Sequence, residues 1–288
     1  NEGDVIQPLT GKPQSPAPLD SDPIPMEGVD RRAHLARWLT SPENSFFGRA
    51  IANRIWANFF GRGLVDAVDD MRLTNPASNE KLLDALAAHL REQRFDLRSL
   101  VREILRSEAF QRSSLATPEN RADPTYFSRF FPRRLMAEVA LDALSSVCDV
   151  PTKFGGYPSG WRAIQLPDSN VSSKFLEIFG RPSREETCSC ERTSEASLAS
   201  VLHVSNSDTV NQKIESKNGR VARALDSKQR IETIIEELYL AALCRFPSAR
   251  ERDRIVAVYK KTPEAERRHF VEDLYWSVLS TREFVFNH

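Results

Sequence analysis

The sequence lacks a surplus of charge of either sign: 40 Lys and Arg stand against 40 Asp and Glu in 288 residues. A general nucleic-acid or membrane-surface binder carries a basic excess, so this balance argues against both and leaves only local arginine clusters. The sequence also lacks a long apolar run. No stretch approaches the roughly 18 residues that span a bilayer, so no transmembrane segment is expected. A signal peptide is missing as well. Instead Pro8, Pro13, Pro16, Pro18, Pro23 and Pro25 recur among polar residues, a density that stops helices and favours extended chain. Residues 1–29 therefore read as a proline-rich linker or strap. The chain reads as the C-terminal piece of something longer, with any targeting signal upstream.

Cysteine is sparse, with 4 in the chain, which excludes a disulfide-dense scaffold. Cys148 and Cys244 fall on apolar stripes of expected helices and read as buried small hydrophobes. Cys188 and Cys190 differ, because charged residues surround them. Catalytic strings are missing too. Without Cys-x-x-Cys-His, no haem is attached covalently in this segment. No metalloprotease HExxH, phosphate-binding loop, dinucleotide fingerprint or nucleophile elbow occurs either. These absences lower the expectation of an enzyme without removing it.

What the chain does have is helical periodicity. Hydrophobic residues make up 40%, enough for a core. Asp30 precedes an apolar pattern at Leu35, Trp38 and Leu39. Thr40-Ser41-Pro42-Glu43 has the spacing of a capping box with an early proline, which predicts a helix start. That helix runs through Ile51, Ile55 and Phe59 to Gly61 or Gly63. Asn75 to Ser78 signals another start, before Leu82, Leu83, Leu86, Ala87 and Leu90. Asp96 can cap a helix with Leu97, Leu100, Val101, Ile104 and Leu105 on one face. A further helix is expected from about Pro132 to Val147. Periodicity fails over 148–193, where Gly155, Gly156, Gly160, Pro158, Pro167 and Pro182 break any regular element; so long an excursion is usually functional. Only a short strand within 150–180 is entertained. Helices resume near Ser194. Ile231, Ile234, Ile235, Leu238 and Tyr239 mark a strong one, Ser248 to Glu251 forms a capping box, and Thr262-Pro263-Glu264 begins the last. The expected class is mainly α: one irregular multi-helix domain over 30–288, carrying a long Gly/Pro-rich loop insertion.

An internal echo accompanies this pattern. Leu97, Leu100, Val101, Ile104, Leu105, Ser107 and Phe110 align at one constant offset with Val271, Leu274, Tyr275, Val278, Leu279, Thr281 and Phe284. The shared form is an amphipathic helix ending Leu-x-Ser/Thr-x-x-Phe, which suggests two similar units facing each other across one core. Coincidence between amphipathic helices is the rival reading.

The most specific strings are LARWLTSPEN, NRIWANFFGRGLVDAVDD, PRRLMAEVALDAL, GRPSREETCSCER, ELYLAALCRFPSARE and DLYWSVLSTREFVFNH. In this order, from about Arg31 to His288, the chain resembles domain-of-unknown-function family 1553, the C-terminal domain of large planctomycete proteins. Met71-Arg72-Leu73 departs from the commonest pattern and leaves the resemblance intact. The resemblance implies an exported protein, periplasmic or at the cell surface, in which this domain follows an upstream partner domain. Some relatives carry c-type cytochrome or carbohydrate-binding-like modules, so haem would sit only on an upstream module. The implied partners are that upstream domain, a c-type cytochrome module or a polysaccharide. No activity and no catalytic residues come with the family.

Several residues could carry chemistry. Cys188 and Cys190, one residue apart, can form a strained disulfide, ligate a soft metal with His203 nearby, or stay as thiols. Arg184 and Arg192 would favour the thiolate, zinc usually wants wider spacing and more ligands, and an exported setting favours oxidation. Arg181, Arg184 and Arg192 with Glu185, Glu186 and Glu191 could clamp a carboxylate or sulfate; equal numbers of acids favour an internal ion-pair network. Asn53, Arg54, Trp56 and Arg62, with Asp69 and Asp70, could line a pocket for acid/base chemistry; adjacent acids more often cap a turn. Trp161 could stack on a sugar ring or plug the core. The terminal Asn287-His288 could ligate a metal, though a frayed end is the plainer reading. The favoured function is a non-catalytic, accessory module. The alternatives are an enzyme on carbohydrate or sulfated polysaccharide, with Asn53 and Arg54 converging on Arg181, Arg184 and Glu191, or a redox or metal module at the two cysteines.

Overall fold

The computed structural model describes residues 5–19, 21–24, 30–167, 171–182 and 208–287. They are mainly α-helical, as the periodicity predicts, and the strands among them are two residues long. The body expected as one domain has two hydrophobic clusters, and its contacts gather into two compact units, Asn1–Phe131 and Pro132–His288.

The first unit opens with a small hairpin in the proline-rich segment: β1 (Val5–Ile6) pairs antiparallel with β2 (Pro13–Gln14). Ile24 is buried. Asp30 caps α1 (Arg31–Leu39) by accepting from Arg32 N. The next helix begins later than the Thr40–Glu43 box suggests. Its cap is Asn44, whose Oδ1 accepts from the N–H groups of Phe46 and Phe47 at 2.9 Å each. The Asn44 Nδ2 also donates to Trp38 O at 2.9 Å. One buried amide thus closes α1 and opens α2 (Ser45–Phe60), a tertiary advantage that outcompetes the local box. α2 stops at Gly61, left-handed at φ 77°. Asn79 rather than Ser78 caps α3 (Glu80–Glu92), and Asp96 caps α4 (Leu97–Arg106) as expected. Ala52, Trp56 and Phe60 form one face of α2 and meet Leu83, Leu90, Leu100, Ile104 and Phe127 in the core.

In the second unit, residues 132–136 are not helical. Arg133–Arg134 (β3) pairs antiparallel with Phe286–Asn287 (β4), and Leu135 N donates to Val285 O at 2.9 Å. Asn287 is therefore held in a ladder rather than frayed, while His288 lies outside the described residues. α5 (Ala137–Cys148) follows, with Leu141, Leu144 and Val147 buried. A 3-10 turn (Ala163–Gln165) and α6 (Lys174–Ile178) interrupt the irregular excursion; no strand forms among its described residues. Then come α7 (Asp208–Ile214), α8 (Arg220–Asp226), α9 (Ile231–Leu243), α10 (Ala249–Tyr259), α11 (Arg267–Leu279) and α12 (Arg282–Val285). Ile231, Ile234, Ile235, Leu238 and Tyr239 are all buried on α9, each apolar side chain stabilising by about 2 kcal/mol. The Ser248 capping box is complete. The last long helix is preceded by a 3-10 turn at Glu264–Glu266.

The internal echo is realised in detail, with one correction. Ser107 Oγ donates to Ile104 O at 2.7 Å and accepts from Phe110 N at 3.3 Å. Thr281 Oγ1 donates to Val278 O at 2.7 Å and accepts from Phe284 N at 3.2 Å. The two helices do not share a core, however: Leu100 and Ile104 belong to one cluster, Val271, Leu274 and Val278 to the other.

Candidate functional site

The string around Asn53 builds a long link, 61–79, against α2. Asn53 is fully buried. Its Nδ2 donates to Val65 O and Val68 O, each at 2.9 Å, and its Oδ1 accepts from Val65 N at 2.9 Å. Both amide hydrogens are used, so the side chain anchors the loop and presents nothing to a substrate. Gly63 lies against it. A Cβ there would come within 2.2 Å of Val65 O and 2.9 Å of Asn53 Oδ1, which only glycine avoids. Asn75 repeats the device, donating to Asp66 O at 2.9 Å and Asp70 O at 3.0 Å.

The charged members of the string are paired. Arg54 bonds Asp69. Arg62 pairs with Asp66 at 3.1 Å and donates to Pro124 O at 3.0 Å. Arg72 grips Asp70 at 2.6 and 2.7 Å, and that bond holds the Asp70 carboxyl below its ordinary range. Trp56 is core: buried, stacked on Phe60 at 4.1 Å and edge-on to Phe127 at 5.2 Å. A cleft of about 350 Å³ opens beside the loop near Phe46, Arg49, Met71 and Leu73. Its guanidinium is committed, Arg49 donating to Glu80 at 2.5 Å and bonding Asp84.

In the second unit, Arg181 donates to Val171 O at 2.6 Å. Arg184, Glu185, Glu186, Glu191, Arg192, Cys188, Cys190 and His203 lie outside the described residues, so the expected disulfide or metal pair falls there. Among the described residues no disulfide and no metal-holding cluster occurs. Cys148 is buried, and desolvation pushes its thiol up to about 12, which makes it inert. Cys244 is exposed, contrary to its apolar-stripe reading. It is the residue after α9, left-handed at φ 54°. Basic groups cap the end of α5: Lys213 Nζ donates to Val150 O at 2.6 Å and Arg220 Nε to Val147 O at 2.8 Å, a favourable match to the helix dipole.

A larger cleft, about 550 Å³, runs along α5 beside Trp161, with Asp142, Ser146, Asp149 and Arg162 on its walls. Asp142 accepts from Ala163 N at 2.6 Å and Ile164 N at 3.1 Å, and lies 3.5 Å from Arg162 Nε. Asp149 bonds Arg223. Of these residues only Trp161 stands out in the sequence, because Asp142 and Ser146 alternate with the core positions of α5 and look like ordinary surface polars.

The family model described as PSD1, Protein of unknown function (DUF1553), matches residues 31–259. The chain belongs to this family. No curated protein and no solved structure matches it. No helix among the described residues is long and apolar enough to cross a membrane.

Proposed function

We propose that the chain is a non-catalytic, accessory module of an exported multi-domain protein. It packs against its own upstream domain and serves a partner in electron transfer or polysaccharide handling. The observation that carries this reading is the state of Asn53: the most distinctive polar residue of the family string is buried, with both amide hydrogens and its carbonyl oxygen bonded inside the fold. The pairing of Arg54 with Asp69 and of Arg72 with Asp70 supports it further. Acid/base catalysis needs a carboxyl free to exchange a proton with substrate. The reading also takes Cys188 and Cys190 as oxidised, as suits an exported setting.

The test is turnover by the purified chain on chromogenic aryl glycosides and aryl sulfates. No turnover above buffer is expected, and Asp69→Asn should change nothing. Hydrolysis that disappears in Asp69→Asn would overturn the reading. The intact mass of unreduced protein, before and after thiol alkylation, checks the cysteines.

A further inference from the structure

We propose that the cleft beside Trp161 binds a neutral saccharide, which extends the accessory reading by giving the module a ligand. The volume of about 550 Å³ lies in the range of small-molecule sites. Charge is balanced inside it. Asp142 is satisfied by two backbone N–H groups and approached by Arg162, and Asp149 is bonded by Arg223. An ionic ligand meets no unmatched counter-charge there, whereas a polyol requires none.

The remaining groups have the chemistry of a sugar site. Trp161 is half-buried and leans on Tyr157 at 5.1 Å, with the rings tilted by 41°. It supplies an apolar ring face for the C–H side of a pyranose. Gly160, at φ 91°, lines the same cleft, and apart from its chain neighbours nothing lies within 4 Å of where a Cβ would stand. The Ser146 hydroxyl, the Trp161 indole N–H and one oxygen of Asp149 have no partner among the described residues. These are a mixed group, a donor and two acceptors, one of which can also donate, and sugar hydroxyls both donate and accept. Asp142, fixed by the 3-10 turn it caps, holds the Trp161–Arg162 wall in place against α5.

The experiment is calorimetric titration of the full chain with neutral hexasaccharides of the cellulose, xylan, β-1,3-glucan and starch types, and with a sulfated carrageenan oligosaccharide. At least one neutral hexasaccharide should bind saturably. Trp161→Ala should weaken it by about tenfold or more, equivalent to about 1.4 kcal/mol. Trp161 also touches the core, so Ser146→Phe serves as a second variant. Ser146 is exposed, and the added ring fills the cleft from the solvent side; binding should be lost with thermal stability kept. Failure of every neutral glycan, binding that survives Ser146→Phe, or binding of the sulfated oligosaccharide alone would overturn the site. Failure to bind would leave the accessory reading standing. Turnover of a bound neutral glycan would support the site and overturn the accessory reading.

Discussion

The two compact units each contain a three-helix segment with the same punctuation and a different solution to one problem. α2 and α9 both end in a left-handed residue, Gly61 and Cys244, followed by an arginine, Arg62 and Arg245. α4 and α11 both end in the hydroxyl turn that leads to a phenylalanine. The difference is the link between the first two helices: residues 61–79 in the first segment, 244–248 in the second. A long link carries many backbone groups that need partners, and α2 supplies them from inside the core with Asn53. The short link has few such groups and is closed by charge. Arg245 donates to Glu283 at 2.5 and 3.0 Å and to Glu251 at 3.0 and 2.9 Å. The conspicuous polar string of the first segment thus reflects the hydrogen-bond demand of its long link.

The strongest way to break this comparison is to remove the anchor. Asn53→Ala leaves Val65 N, Val65 O and Val68 O without their buried partner, and each orphan costs about 1–3 kcal/mol. A loss of about 4 kcal/mol is expected in urea unfolding, with new protease cleavage inside 61–79. Gly63→Ala should do similar damage through the clash with Val65 O. If either variant unfolds like wild type, the long link does not depend on α2.

The second segment should fail more gently and in a pH-dependent way. Arg245→Ala should cost about 1 kcal/mol, because the network is partly exposed and screened. The Arg245 guanidinium, with the Ser248 hydroxyl and N–H, holds the Glu251 carboxyl at about 2, against 4.5 ordinarily. A carboxyl lowered on folding adds stability that is complete above its unfolded pKa. That stability is lost as pH falls through the folded value. Urea midpoints measured from pH 6 down to pH 2 should therefore fall for wild type between about 4.5 and 2, and less steeply for Arg245→Ala. Parallel slopes would remove Arg245 from the account.

The sequence was most legible where structure is local. Asp96 and Ser248 cap helices that their own neighbours define. It was least legible where the partner is distant. Pro132 to Met136 read as helix because nothing nearby reveals that Arg133 and Arg134 pair with Phe286 and Asn287. Asn44 displaced the Thr40–Glu43 box through a bond to Trp38 O. Asn53 did leave a signal, since it interrupts the apolar face of Ala52, Trp56 and Phe60; an amide there belongs to a buried network more often than to a pocket. Asp142, Ser146 and Asp149 left none, because a cleft along one helix depends on loops that periodicity does not describe.

The finest test asks whether the shared punctuation is one device or a coincidence. The hydroxyls of Ser107 and Thr281 each donate to the carbonyl three residues back and accept from the phenylalanine N–H three residues on. Their backbones agree, at φ −63°, ψ 145° for Ser107 and φ −73°, ψ 154° for Thr281. Each hydroxyl ends one helix and aims a phenylalanine at its own core, so Ser107→Ala and Thr281→Ala should each cost about 1 kcal/mol. Thr281→Ser keeps the oxygen and should cost less than Thr281→Ala. Phe284 is buried whereas Phe110 is half-buried, so the Thr281 variant should carry the larger part of any asymmetry. If Ser107→Ala is silent while Thr281→Ala is not, the likeness is one of sequence pattern alone, and the two segments reached their helix ends by separate physics.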